Sequence, residues 1–299
     1  MEYAKITIKP LSPFITKLQS DTIFGHFAWG IVYRYKEEKL KELLKDFEKR
    51  PFIIFSDGFI KDFLPKPFLK SLSIDSNCDE LIDNIKKLKK LSLVPKELVF
   101  ENIDNLKEEV FLDYIKNSKS SFKKATNIIT KNSINRLTNS VTEGLYYVEE
   151  EFLYEEIDIY FAYDGISKEF IEEIFNLVSV RGFGKDKSTG KGRFSFKIDW
   201  DFKEKEYFTT KRDKYLNLST MLINKENMFL YYGKTLTKFP KTGGFYANSH
   251  PFKNPIICYK PGSTFLVKDS ILGRAEKRVF NKENHYQNGY SIGVYFNGE

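Results

Sequence analysis

The sequence predicts an α+β protein. A ferredoxin-like domain built in the order βαββαβ, with an insertion in its middle, precedes a second, β-rich domain read as a degenerate ferredoxin-like unit. Three observations carry this. Period-two stretches at Tyr3 to Lys9, Ile157 to Tyr163 and Phe194 to Ile198 are strands with an apolar face. A helical pattern follows each of the first two strands. After about residue 200 the apolar runs are almost all short and strand-like. The 299 residues suffice for two domains, divided as 1–200 and 201–299, with the insertion over about 70–150.

In the first strand Ala4, Ile6 and Ile8 alternate with Tyr3, Lys5, Thr7 and Lys9, and Pro10 and Pro13 stop it. Ser20-Asp21 offers an N-cap for a helix over about Thr22 to Tyr35, with Ile23, Phe24, Phe27, Ile31 and Val32 near one face. A charged helix over Glu37 to Lys49 follows. Phe52 to Phe55 and Phe59 to Leu64 read as a hairpin turned by Ser56-Asp57-Gly58 and closed by Pro65-Lys66-Pro67. Within the insertion, Leu81 to Leu88 and Leu106 to Lys116 are helices. Asn117 to Thr142, rich in Asn, Ser, Thr and Lys, is expected to be a mobile, extended basic excursion. Ser167 caps a helix through Ile171, Ile174, Phe175 and Val178. Further strands are expected at Leu216 to Ile223, Met228 to Tyr232, Pro255 to Lys260, Thr264 to Val267 and Tyr290 to Phe296.

Lys and Arg total 48 against 41 Asp and Glu, a net charge of +7 and a pI near 9.0. The distribution says more than the total. Lys116 to Arg136 holds six basic residues and no acid; Arg181 to Lys197 holds six against Asp186 alone. Between them lies an acidic run, Glu149-Glu150-Glu151 with Glu155, Glu156 and Asp158. Such runs are either solvated faces or an anion-binding surface, and two of them flanked by Gly, Ser, Thr and Asn point to nucleic acid. No apolar run approaches the roughly 20 residues of a membrane span, and the N-terminus lacks a signal-peptide pattern. The two cysteines, Cys78 and Cys258, are far apart, which excludes a disulfide scaffold and fits a reducing, cytoplasmic setting.

Arg181-Gly182-Phe183-Gly184-Lys185-Asp186-Lys187-Ser188-Thr189-Gly190-Lys191-Gly192-Arg193 is the most specific local feature. Its glycines allow close backbone approach, and Arg181, Lys185, Lys187, Lys191 and Arg193 supply charge for phosphate. It is neither a Walker A loop nor a dinucleotide fingerprint, because the spacing fails and a strand follows it. It is a long glycine-rich turn or a cradle for a nucleic-acid backbone with Phe183 as a stacking platform. Gly243-Gly244, after Lys238 and Lys241, is a hairpin turn or a second binding site. His26, His250 and His285 have no metal-ligand spacing, so neither metal nor cofactor is expected. His26, on the first helix, is a structural histidine or a general acid or base.

Four segments in this order resemble one family: Ser20-Asp21-Thr22-Ile23-Phe24-Gly25, Phe63-Leu64-Pro65-Lys66-Pro67, Ile134-Asn135-Arg136-Leu137-Thr138, and the loop ending Gly190-Lys191-Gly192-Arg193-Phe194. They resemble the RAMP proteins of CRISPR systems, and within them the fourth subunit of the type III-A (Csm) interference complex. The resemblance covers nearly the whole chain and is weaker in the second half. It implies a non-catalytic subunit that holds the 5′ handle of the crRNA next to the guide–target duplex. Its implied neighbours are the large multidomain (Cas ten-type) subunit and the first backbone RAMP subunit (Csm three-type). It also implies that 117–147 forms a thumb, a β-hairpin with Arg136 on the guide. The handle groove would be lined by Lys17, Ser20 and Asp21 at the helix start and by residues 181–193. The competing reading is a RAMP-type metal-independent endoribonuclease processing precursor crRNA, with His26 as general acid or base and Tyr33 or a lysine assisting. A third is an RNA-associated ferredoxin-like module outside CRISPR.

Overall fold

A computed structural model describes residues 1–71, 79–117, 124–135, 137–226, 228–244, 252–268, 271–277 and 286–298. Cys78, Lys119, Lys123, Arg136, Phe245, Tyr246, His250 and His285 lie outside the described residues. The chain is α+β, with several small antiparallel sheets.

The largest sheet runs in the order Phe194–Asp199, Glu2–Pro10, Ile157–Tyr163, Ile53–Phe55, and Phe59–Ile60 also pairs with Ile157–Tyr163. Ala4, Ile6 and Ile8 are fully buried, as their alternation requires. Helices Ser20–Leu44 and Lys168–Arg181 pack together against this sheet, where Phe27, Phe55 and Phe175 meet with ring centroids 5.4–5.9 Å apart. The second helix is capped as expected: Phe170 N–H donates to the Ser167 hydroxyl at 3.2 Å. The break between the expected first and second helices falls at Lys36, whose φ of 69° interrupts the Ser20–Leu44 helix.

Residues 52–64 depart from the expected hairpin. Ile53–Phe55 and Phe59–Ile60 do not pair with each other; both lie along Ile157–Tyr163 as one interrupted edge strand. The intervening Ser56-Asp57-Gly58 bulges out rather than turning the chain. Ser56 bridges the interruption in the ladder, its N–H donating to Tyr160 O and its hydroxyl accepting Tyr160 N–H. Phe63–Pro65 pairs instead with Leu93–Pro95. Lys66, in the Pro-Lys-Pro segment, is nearly buried, bonds Glu108 at 2.7 Å and lies over the Phe111 ring.

All of Ile157–Tyr163 is buried, so both its faces are covered and the expected polar face is not solvated. Tyr160, Phe202 and Phe208 pack on the second face, with Tyr160 and Phe208 centroids 4.8 Å apart. That core continues into the C-terminal half through Leu216, Leu218, Val294 and Phe296. A second sheet, ordered Met228–Tyr232, Thr264–Val267, Lys214–Asn217, Gly293–Phe296, contributes Leu216, Val294 and Phe296, and Leu218 follows its Lys214–Asn217 strand.

The described part of the expected excursion forms a β-hairpin, the form the resemblance implied for the thumb. Lys124–Ile134 pairs antiparallel with Val141–Leu153. The ladder satisfies the backbone of a segment whose Asn, Ser and Thr content reads as loop. The apolar side chains near its tip remain exposed: Ile128, Ile134, Leu137, Val141, Leu145 and Tyr147. Among the described residues no helix is long and apolar enough to cross a membrane.

Candidate nucleic-acid interface

The helix Lys168–Arg181 delivers the chain into the glycine loop, and Phe194–Asp199 carries it away beside Glu2–Pro10. Gly182, Gly184, Gly190 and Gly192 have φ of 84, 82, 87 and 68°. These left-handed conformations disfavour residues with a Cβ. Gly192 is the most constrained, since a Cβ there would stand 2.0 Å from Phe183 O. The loop closes on itself and on the start of the chain. Phe183 N–H donates to Gly192 O at 2.8 Å, Gly192 N–H to Pro13 O at 2.9 Å, and Lys185 N–H to the Thr16 hydroxyl at 3.0 Å.

His26 is half-buried beneath this loop. Its Nε2 accepts Gly184 N–H at 2.9 Å, and its ring lies 4.6 Å from that of Phe183. Burial, with a smaller contribution from the nearby Lys187 charge, pushes its pKa down to about 4. It is therefore a neutral hydrogen-bond acceptor near neutral pH, engaged with the loop backbone. Phe183 is 2% exposed and packs on His26 and Phe14. The expected stacking platform is instead the apolar anchor of the loop.

The loop's cations separate into two groups. Lys191 bonds Glu150 at 2.7 Å, and Asp186 pairs with Lys131. Both bonds tie the loop to the Lys124–Leu153 hairpin; of the acidic run only Glu150 takes part, while Glu156 pairs with Lys61 and Asp158 with Lys5. Arg181, Lys185 and Arg193 are exposed and Lys187 is half-buried; none has an anionic partner among the described residues. Burial and the neighbouring Arg181 charge lower the Lys187 pKa. Ser188 and Thr189 sit exposed at the tip, with Thr189 Oγ1 donating to Asp186 O, and Gly190 borders open space.

Arg181 also reaches back to the first helix, where its guanidinium lies 4.0 Å from the centre of the Tyr33 ring. Trp29 stands one turn earlier, its ring 5.7 Å from Tyr33. Gly243 and Gly244 pack on the Trp29 indole; a Cβ on Gly244 would fall 2.2 Å from it. These glycines thus permit a close crossing of the C-terminal half over the first helix. Sequence reasoning missed Trp29 and Thr16. The i, i+4 spacing of Trp29 and Tyr33 on a helix was the available signal for the first.

Lys17 is exposed, but Ser20 and Asp21 point inward. The N-cap is Gln19, with no side-chain cap bond. Ser20 Oγ accepts Thr220 N–H at 3.0 Å. Asp21 holds Lys238 and accepts Gln287 Nε2–H at 2.6 Å. Beside them Asp57 accepts Ser20 N–H, Thr220 N–H and the Thr220 hydroxyl, while burial raises its pKa to about 6. Ser20 and Asp21 are therefore joints between the two halves of the chain, not parts of an exposed groove. No group of three or more His, Cys, Asp or Glu suited to a metal ion occurs among the described residues.

No protein-family model and no curated protein matches the sequence. Solved structures do match. A chain of the Csm3–Csm4 subcomplex of the type III-A CRISPR-Cas interference complex aligns with a TM-score of 0.61 at 20% identity, covering 98% of this chain and 99% of that one. Chains of the Csm1–Csm4 cassette with pppApA and with cA4 each align at 0.60 and 16% identity, covering 99% of this chain and 98 and 99% of theirs. Csm4 is the component common to these structures. The chain shares its fold with subunits of type III-A CRISPR complexes along nearly its whole length.

Proposed function

We propose that the chain is an RNA-binding RAMP subunit built on a ferredoxin-like domain. More narrowly, we propose the Csm4-like subunit that holds the crRNA 5′ handle and bridges the large subunit to the backbone subunits. The observation that carries the reading is the glycine loop. Its backbone is fixed by His26, Thr16 and Pro13; among the described residues Arg181, Lys185 and Lys187 have no anionic partner, and Arg181 lies over the Tyr33 ring of the first helix. Fixed backbone, unpaired cations and adjacent aromatics are what a nucleic-acid backbone requires. The strand order Phe194–Asp199, Glu2–Pro10, Ile157–Tyr163, Ile53–Phe55, with two helices packed against it, supports the ferredoxin-like assignment. The fold likeness to complexes that contain Csm3 or Csm1 supports the bridging role.

The subunit is proposed to be non-catalytic. His26, the only described histidine, spends Nε2 on Gly184, and Tyr33 is covered by Arg181. Purification of the chain from its native host with its partners, followed by sequencing of bound RNA, tests the assignment. Short RNAs sharing one repeat-derived 5′ end are expected; RNA with no common end would overturn it. Metal-free cutting of repeat RNA by the isolated chain, abolished by His26→Ala, would instead establish the endoribonuclease.

A further inference from the structure

The Lys124–Leu153 hairpin presents one face to the glycine loop. Across its ladder Asn127 stands opposite Glu150, Ile129 opposite Val148 and Lys131 opposite Tyr146, so these side chains share a face. Val148 on that face is buried, whereas Ile128 and Tyr147 on the other are 67% and 73% exposed. From the inner face Glu150 holds Lys191 at 2.7 Å, and Lys131 holds Asp186. The second oxygen of Glu150 is buried without a hydrogen bond, so Lys191 is the cation that places this carboxylate.

Asp186 and Lys191 bracket the tip of the loop. Thr189 N–H and the Thr189 hydroxyl donate to Asp186 O at 3.0 and 2.8 Å, and Gly190 N–H donates to Lys187 O at 3.1 Å. Asp186 and Gly190 take left-handed conformations, with φ of 59 and 87°. The tip is thus a small closed turn that carries Lys187, Ser188 and Thr189 and is gripped by the hairpin at both ends. The hairpin is itself anchored beside it: Phe14 exchanges two backbone bonds with Glu151, at 2.9 and 3.1 Å, and Pro13 O accepts Gly192 N–H.

We propose that Glu150 and Asp186 are positioning residues: paired with Lys191 and Lys131, they clamp the tip of the loop to the hairpin, and the clamp sets how tightly the loop holds RNA. Charge alone gives the opposite expectation. Each is an acid beside the cations of the loop, so removing it frees a lysine and lowers the repulsion of phosphate. Each acid is already neutralised by its lysine, however, which leaves ordering of the tip as the larger effect. A clamped tip is ordered before RNA arrives, whereas a released one must be ordered at the moment of binding, at a cost in affinity. The coupling is reciprocal: if the docked hairpin strengthens RNA binding, bound RNA strengthens docking of the hairpin by the same factor. The proposal rests on the reading of the glycine loop as an RNA-binding surface, and the test separates the two.

The test uses the full chain and a short single-stranded RNA carrying the co-purified 5′ sequence. Glu150→Gln and Asp186→Asn each remove one negative charge while keeping the side chain's shape, and Asn tolerates the left-handed backbone at position 186. Both variants are expected to bind the RNA more weakly, by between about 5- and 150-fold, the usual range of a coupling between sites. Their salt slopes should stay unchanged, because neither removes a phosphate contact. Lys185→Ala/Lys187→Ala should instead lower the slope by about 0.7 for each phosphate no longer neutralised. Hydrogen exchange of Lys124–Leu153 should slow when RNA binds the unaltered chain, and slow less in Asp186→Asn. If Glu150→Gln also speeds exchange of the buried strand Ile157–Tyr163, it has loosened the whole fold, and Asp186→Asn, on the loop, decides alone. RNA affinity unchanged or raised in Asp186→Asn overturns the positioning role, as does hairpin exchange that RNA leaves unaltered. RNA binding untouched by Lys185→Ala/Lys187→Ala overturns the glycine-loop reading; binding weakened there but unchanged in Asp186→Asn overturns the positioning role alone.

Discussion

Lys191→Ala separates the two roles that the cations of the glycine loop play. Lys191 is about one-fifth exposed, and its partner Glu150 is 2% exposed. The bond between them is 2.7 Å, and the second carboxylate oxygen of Glu150 is already buried without a hydrogen bond. Removing Lys191 leaves a buried carboxylate without its bonded cation, only the Lys131 charge remaining nearby, a change that costs about 3–5 kcal/mol in fully buried pairs. The residual exposure of Lys191 places the expected loss near the lower end, about 3 kcal/mol. Lys185 is exposed and has no anionic partner among the described residues, so Lys185→Ala should change stability by less than about 0.5 kcal/mol. Adding Glu150→Gln to Lys191→Ala removes the orphaned charge and should restore much of the loss. Urea unfolding of the four proteins at neutral pH reads these differences directly. Hydrogen exchange should show faster opening of Lys124–Leu153 in Lys191→Ala alone. Equal stability of Lys191→Ala and Lys185→Ala would refute the assignment of Lys191 as a buried tether.

Gly192→Ala should collapse the loop, because its Cβ would meet Phe183 O at 2.0 Å, whereas Gly190→Ala faces open space and should cost only about 1–2 kcal/mol of left-handed strain; RNA affinity and thermal unfolding of the two variants check this. The lowered His26 pKa means that below its unfolded value of about 6.5 the unfolded chain takes up a proton that the native chain refuses. The His26 contribution to stability is therefore full above pH 6.5 and is lost at about 1.4 kcal/mol per pH unit down to about pH 4. His26→Gln keeps an acceptor for Gly184 and should remove that component of the pH profile, measured by urea unfolding between pH 4 and 7. Lys238→Ala strands Asp21 between the two halves and should destabilise by about 3 kcal/mol, with Lys238→Arg retaining most of the stability. Leu137 is 96% exposed, so Leu137→Ser should leave unfolding unchanged while disturbing guide–target pairing in the assembled complex, read by target-RNA binding.

What was legible in the sequence is what local pattern determines. The alternation of Ala4, Ile6 and Ile8, the Ser167 cap and the break between the first two helices at Lys36 all depend on neighbouring residues. The hairpin expected at 52–64 failed because a bulge and a turn share the same Ser-Asp-Gly chemistry. Distant partners decide between them: Tyr160 for Ser56 and Leu218 and Thr220 for Asp57. Phe183 lies between two glycines and reads as exposed, yet Phe14 and His26 bury it. Ser20 and Asp21 read as a cap, and their partners Thr220, Lys238 and Gln287 sit about 200 or more residues downstream. The charge pattern marked the basic stretches but did not divide them. Which lysines are tethered depends on the hairpin folding back so that Glu150 meets Lys191 and Lys131 meets Asp186.

The central claim is that the cations left free on the glycine loop hold an RNA strand. It is tested most directly by the salt dependence of RNA binding in the unaltered chain and in Arg181→Ala/Lys185→Ala/Lys187→Ala. With about 0.7 in slope per phosphate neutralised on a single strand, removing three cations should flatten log K against log salt by about 2 and weaken binding at low salt. The same slope and affinity in both proteins would contradict the account.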